Sequence, residues 1–337
     1  MKRFAIEEPL LDLNMYLGEG CVWDTETQRL YFVDIELNNV FVYEPKSDKW
    51  GYSHFEKKVT AIALLQEQEG LIAAIEDGFA LIPPSSLPRP LLRRDQSMGA
   101  QDSLRPAEQS YDVLCVSGGS GPGPSAITLQ SGEARMNEGA VDPAGRFLAG
   151  TMVNSFGSYA GRMYSLQRSP RGNQWEAPLV LDDITVTNGM AWTGDGKKMY
   201  FTDSHRKEIV IFDYDVERGT MSNRKIFSNI DTPEYGYPDG LCLDSEGGVW
   251  TARWSSGKVI RLNPQTAEID VEIDLPKAWN ATCVIFGGAN MDELFITTAR
   301  CSQGGDHPEP HYTEQGKLYH IKDIGFTGVE RNRFKSQ

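Results

Sequence analysis

Pro238-Asp239-Gly240-Leu241-Cys242-Leu243-Asp244 is one of four stretches in this 337-residue chain that open alike, with an oxygen-bearing residue, a glycine and then an apolar run. The others are Glu19-Gly20-Cys21-Val22-Trp23-Asp24, Glu138-Gly139-Ala140-Val141-Asp142-Pro143 and Asn188-Gly189-Met190-Ala191-Trp192. Each opening leads into a turn (24–29, 143–146, 194–197, 245–247) and then a second β-rich run (30–34, 147–151, 198–203, 249–253). A third run comes after a short polar link, at 40–43, 162–166, 208–214 and 258–262. Each repeat therefore reads as a meander of short antiparallel strands. Glu138 and Asn188 stand 50 residues apart, and Asn188 and Asp239 stand 51 apart, which is the period of a β-propeller blade. Two weaker copies complete the set: 59–65 with 71–75 and 79–82, and 283–286 with 294–298 and 317–321. The pattern predicts an all-β, six-bladed β-propeller, and no window carries the 3.6-residue apolar stripe of a helical architecture.

A chain of this length is compatible with two ordinary domains, but the repeats use all of it, 1–337, as one closed unit. The interval from Glu19 to Glu138 is 119 residues, more than two periods, and the excess lies at about 83–132. That stretch includes Ser117-Gly118-Gly119-Ser120-Gly121-Pro122-Gly123-Pro124 and has no periodic core, so it reads as a surface insertion, with a lid over the pocket as the sharper alternative.

The 33 Lys and Arg against 47 Asp and Glu leave a formal charge of −14. An acidic surface repels phosphate backbones and anionic lipid heads, and no basic run reverses the sign locally, so nucleic acid and membranes are not expected partners. No apolar stretch approaches the roughly 18–20 residues that span a bilayer. The N-terminus meets Glu7, Glu8 and Pro9 before a signal-peptide core could form. Five scattered cysteines without a C-x-x-C pair suit a reducing compartment. The expectation is a cytoplasmic protein acting on a small molecule, with no obligate protein partner.

In a propeller the first strand of each blade lines the central channel, so residues at one repeat phase converge on the axis. The position before the glycine reads Glu19, Glu138, Asn188 and Asp239. A single Asp or Asn before glycine would only shape a turn. Four oxygen donors at one phase, each leading into an apolar strand, point to the axis instead. Carboxylates crowded there repel one another unless a cation neutralises them. Carboxylate and amide oxygens, without His or Cys, form a hard donor set for one divalent ion: Ca²⁺, Mg²⁺ or Mn²⁺ above structural zinc, although zinc also accepts carboxylate ligands.

Leu17-Gly18-Glu19-Gly20, the run Arg135-Met136-Asn137-Glu138-Gly139-Ala140-Val141-Asp142-Pro143-Ala144-Gly145-Arg146, Thr187-Asn188-Gly189-Met190-Ala191-Trp192, Tyr200-Phe201-Thr202-Asp203-Ser204 and 238–244 together resemble the SMP-30/gluconolactonase/regucalcin family. The resemblance spans about 17–321 apart from the insertion. It implies a six-bladed propeller whose divalent metal, Ca²⁺ favoured, is held by Glu19, Asn188 and Asp239, and a sugar-lactone substrate contacted by Arg135 and Asn137. The family commonly has Asn-Asp-Gly where this chain has Asn137-Glu138-Gly139, so a longer acid reaches into the channel beside the substrate. The segment after Thr151-Met152, an acidic contact in regucalcin, here reads Val153-Asn154-Ser155.

The reaction implied is hydrolysis of an aldono-lactone, gluconolactone-like or an arabinono- or rhamnono-lactone, to the aldonic acid. The ion would act as Lewis acid on the carbonyl, with Asp239 as ligand and proton acceptor and Glu138 in reserve. A calcium-binding regulatory protein of the regucalcin kind and a phosphotriesterase-type propeller hydrolase are the alternatives. No G-x-S-x-G, H-E-x-x-H, Walker A or helix-opening G-x-G-x-x-G motif offers another chemistry. His54, His205, His307, His311 and His320 lie off the axial phase, His205 being a surface residue that could border the pocket. Trp23, Trp192, Trp250 and Trp254 read as packing between blades.

Overall fold

Six antiparallel meanders stand around one axis in the computed structural model, which describes residues 1–96, 108–116, 129, 133–153, 161–169, 174–300 and 312–336. Blade I runs outward through Gly18–Asp24, Arg29–Asp34, Asn39–Glu44 and Lys49–His54, and blade II through Val59–Leu64, Leu71–Ile75 and Gly78–Ile82. Blade III is built on Glu133–Val141, Phe147–Val153 and Gly161–Arg168. Blade IV comprises Thr187–Trp192, Lys198–Asp203, Glu208–Asp215 and Thr220–Ser228. Blade V comprises Tyr237–Leu243, Val249–Trp254, Lys258–Leu262 and Ile269–Asp274, and blade VI Asn280–Gly287, Glu293–Ala299 and Leu318–Ile321. The turns expected between first and second strands form on Asx geometry: Asp142 Oδ1 accepts the amides of Ala144 and Arg146, and Asp244 Oδ1 those of Glu246 and Gly248.

Each inner strand touches the next, and Asn280–Gly287 touches Gly18–Asp24, which closes the ring. The inner strands of blades I, II and VI are buried at every position, because neighbouring blades cover both of their faces. Aromatic rings fill three of the seams: Trp23 stacks on Phe295 at 5.5 Å, and Trp250 and Phe79 meet Phe286 and Phe147 edge-on at 5.6 and 5.8 Å. The chain ends supply the clasps. Lys2–Ala5 joins the outer edge of blade V in parallel, and Leu10 and Leu11 bond to Leu318 at the outer edge of blade VI. The C-terminal tail crosses the far ends of the inner strands, where Arg331 Nη2 donates to Leu241 O (2.8 Å), Asn332 Nδ2 to Val141 O (3.0 Å) and the Phe334 amide to Leu64 O (2.8 Å). A cavity of about 170 Å³ remains between that tail and Val22, Leu64, Val141, Trp192 and Leu243.

The insertion expected at 83–132 is corrected in two places. Asp112–Val116 pairs antiparallel with Gly78–Ile82 as the fourth strand of blade II, and Leu92–Arg93 extends the edge of blade I. Both are short edge strands with little apolar alternation to betray them. These pieces sit at the outer edges of their blades, away from the axis, so they form no lid. Residues 97–107, 117–128 and 130–132, with the Gly/Ser/Pro run, lie outside the described residues.

Every inner strand slips register against its neighbour near the same phase: between Glu19 and Val22, Val59 and Ala61, Met136 and Gly139, Thr187 and Met190, Pro238 and Leu241, and Ala281 and Cys283. Such a bulge turns its residue out of the ladder and re-aims the side chain. The glycines beside the bulges allow adjacent blades to meet backbone to backbone. A Cβ on Gly189 would lie 2.3 Å from Leu241 N, and one on Gly240 would lie 2.8 Å from Cys283 Cα. Gly240→Ala should therefore lose about 1–3 kcal/mol by overpacking, read by urea unfolding. Gly194→Ala, with nothing within 4 Å of its would-be Cβ, should stay within about 0.5 kcal/mol of the parent.

Candidate active site

The bulges place Glu19, Thr60, Glu138, Asn188, Asp239 and Thr282 at one level of the inner strands, one residue from each blade. All six are buried. The two threonines are turned to the walls: Thr60 Oγ1 donates to Ala74 O (3.3 Å), and Thr282 Oγ1 donates to Gly18 O. The weaker repeats thus fill the ring with hydroxyls engaged in structure, and the acids and the amide are left to the other four blades.

Glu19, Asp239 and Glu138 sense one another electrostatically. Burial, then Asp239 and Glu138, raise the Glu19 carboxyl well above the usual carboxylate range. Burial and Glu138 raise Asp239, opposed by a hydrogen bond from Asn188, the Gly240 amide and the charge of Arg253. Glu138 is pushed up to about 7 by burial, and its opposing charge is Arg331 in the tail below. Asn188 Nδ2 donates to Ser204 Oγ at 2.9 Å, which turns the amide oxygen the other way. Asn188 Oδ1 and Asp239 Oδ1 are then buried oxygens without a hydrogen-bond partner in the protein. Orphaned acceptors beside repelling carboxylates are costly unless a cation completes them. Among the described residues no three His, Cys, Asp or Glu side chains form a metal-binding group; the donors that the resemblance implies for a divalent ion are Glu19, Asp239 and the Asn188 amide oxygen, two of which carry the orphaned oxygens. This hard, all-oxygen set fits Ca²⁺, Mg²⁺ or Mn²⁺.

Arg135 and Asn137 stand beside these groups as one unit. Arg135 Nη1 donates to Asn137 Oδ1 (2.5 Å) and Met136 O (2.9 Å), and Asn137 Nδ2 donates to Thr187 O (2.8 Å), one residue before Asn188. Burial lowers the Arg135 pKa, opposed by Glu36, Glu19, Glu76 and Asp239. Arg135 Nε lies 3.9 Å from Glu36 Oε1, whose other oxygen takes Lys58. Every sequence-predicted site residue therefore belongs to one constellation. His205 is half-buried and meets Tyr237 edge-on, next to the Ser204 that orients Asn188. Trp254 packs against the cluster holding Leu17, Val59 and Ala299 from other blades. His307, His311, Asn154 and Ser155 lie outside the described residues.

Several contributors escaped the sequence. Ser204 sat in a quoted motif without a role, and Glu36 and Glu76 lie in links between strands, where repeat phase carries no signal. Asp34 and Asp203, at the ends of two second strands, accept the amides leading into the Glu19 and Asn188 strands: Tyr16 at 2.9 Å and Leu17 at 3.1 Å, and Thr185 and Val186 each at 3.2 Å. Arg253 had one visible signal, as the only charge in the strand Val-Trp-Thr-Ala-Arg-Trp.

Fold and site together define a propeller with a carboxylate–amide centre on its axis. Residues 17–300 match the family described as SMP-30/gluconolactonase/LRE-like region, and the chain belongs to that family. Human regucalcin is 29% identical over 329 residues, covering 96% of each chain. Among solved structures, a luciferin-regenerating enzyme superposes with a TM-score of 0.78 at 26% identity, covering 96% of each chain. A calcium-binding protein, regucalcin, from Agrobacterium tumefaciens also reaches 0.78, over 99% of each chain, and at 20% identity it shows the fold alone. Among the described residues no helix is long and apolar enough to cross a membrane.

The pH dependence of the metal-free protein is set by the raised carboxyls. Glu138 keeps its proton in the folded state up to about pH 7 but ordinarily releases it near 4.5. Its stabilisation is therefore full below about 4.5 and is lost as pH rises through about 7. Glu19 and Asp239, raised likewise, act in the same direction. In chelator, the melting temperature should fall from pH 5 to pH 7.5, less steeply in Glu138→Gln; equal slopes would contradict this origin.

Proposed function

We propose that this protein is a metal-dependent sugar lactonase that opens an aldono-lactone to its aldonic acid. The observation that carries the reading is the pair of orphaned oxygens, Asn188 Oδ1 and Asp239 Oδ1, buried beside Glu19 and next to the Arg135–Asn137 unit. The divalent ion, Ca²⁺ favoured, would be held by Glu19, Asn188 and Asp239 and supplies Lewis-acid stabilisation of the negative charge that develops on the lactone carbonyl oxygen.

The protein's own groups do the rest. Arg135 and Asn137, fixed to each other and to the blade IV strand, orient the sugar hydroxyls. Asp239 accepts the proton of the water that attacks the carbonyl, and Glu138, poised near neutrality, is the base in reserve. Collapse of the tetrahedral intermediate breaks the bond from the carbonyl carbon to the ring oxygen, and that oxygen takes up the proton. The C-terminal tail lies across the far ends of the inner strands, and substrate would enter from the opposite side, where the inner strands begin.

A calcium-binding protein without turnover is the second reading, favoured by the likeness to regucalcin. A panel of glucono-, arabinono-, rhamnono- and galactono-lactones, assayed for acid release with and without chelator, separates the two. Metal-dependent release from at least one lactone is expected, and none from activated phosphotriesters. Asp239→Asn should lower kcat by about 10²–10⁴-fold, the range for a positioned acid–base group, and Glu19→Gln should weaken binding of the ion and lower activity with it. Arg135→Met should act mainly on KM. A preparation that binds the ion but releases no acid from any lactone would establish the non-enzymatic reading.

A further inference from the structure

We propose that Arg253 is a positioning residue for the axial site, fixing where the Asp239 carboxylate stands; this rests on Glu19, Asn188 and Asp239 being the ligands of a divalent ion. Arg253 is 1% exposed and among the largest fully buried side chains. Burying a guanidinium is unfavourable unless it is paired, yet among the described residues no carboxylate lies within ion-pair distance of it. The acid its charge acts on is Asp239.

Its hydrogen bonds all go to carbonyls of the segment that delivers Asp239. Nε donates to Tyr235 O at 2.6 Å, and Nη2 lies 3.3 Å from both Gly236 O and Ile230 O. Gly236 turns the chain with φ +49, where a Cβ would lie 1.9 Å from Trp254 O. Pro238, which has no amide hydrogen, pairs directly opposite Arg253. One side chain thus holds three carbonyls of the lead-in to this strand, beside the Tyr235 hydroxyl that donates to Glu272 Oε2 at 2.9 Å.

Blades I and IV hold the same place with the opposite polarity. There Asp34 and Asp203 accept backbone amides just before Glu19 and Asn188. Blade V uses a cation that donates to carbonyls, so the clamp also sets a positive charge behind Asp239. A planar fork bridging several carbonyls is a role that the point charge of lysine cannot fill.

The test is calorimetric titration of the metal-free full chain with Ca²⁺, with circular dichroism and thermal melts as the fold control. Arg253→Lys keeps the charge and loses the fork; it should fold and bind Ca²⁺ at least tenfold more weakly than wild type. Arg261→Lys is the comparison, since Arg261 is a buried arginine of the same blade that pairs with Asp244 and Asp270. It should lose thermal stability and keep its Ca²⁺ affinity. Wild-type affinity in a folded Arg253→Lys, or an equal loss in Arg261→Lys, overturns the inference. If Arg253→Lys does not fold, Arg253→Gln, which retains one donor for Tyr235 O, is read against the same two outcomes. Absence of binding by wild type, with Ca²⁺, Mg²⁺ and Mn²⁺ alike, overturns the ligand reading itself and this inference with it.

Discussion

Burial of Glu19, Glu138 and Asp239 at one level of the inner strands, with the repulsion it brings to Glu19 and Asp239, is the constraint that the site must meet. Isolated buried carboxylates would protonate or draw in water. The fold opposes this from several directions: Arg331 from the tail below, Arg253 from behind Asp239, and Arg135 from the substrate side, where it senses Glu19 and Asp239. The orphaned oxygens of Asn188 and Asp239 are where a cation would complete the balance.

Convergence of this kind needs backbone irregularity. A regular strand alternates its side chains between the two neighbouring blades, and an acid in that position would be driven into an apolar seam. The recurring bulge frees one residue per blade from this alternation, and the adjacent glycine allows the next blade to close to contact distance. The same Asp-Gly or Asn-Gly pair that elsewhere marks a tight turn here stands at the bulge of a buried inner strand.

The site divides accordingly between residues legible in the chain and residues that were not. Glu19, Asn188, Asp239 and Glu138 were legible because they occupy one phase of a repeat, and Arg135 and Asn137 through motif resemblance. Arg253, Ser204, Glu36 and Arg331 reach the site from second strands, links and a tail, and their distances from the repeat phase differ in every case. The edge strands Leu92–Arg93 and Asp112–Val116 were hidden for a related reason: strands half open to solvent need little apolar patterning.

By itself, the sequence determined the period, and with it the number of blades, the meander within each and which residues stand at the bulge phase of the inner strands, since all of these are local patterns repeated along the chain. Only the tertiary structure decided how those donors are oriented and charged. Whether an acid is paired, orphaned or pushed toward neutrality depends on burial and on groups far away in sequence, such as Arg331 below Glu138 and Arg253 behind Asp239. Electrostatic interactions act through space and strengthen as water is excluded. Their partners are therefore set by the closing of the ring and by no spacing that the chain displays.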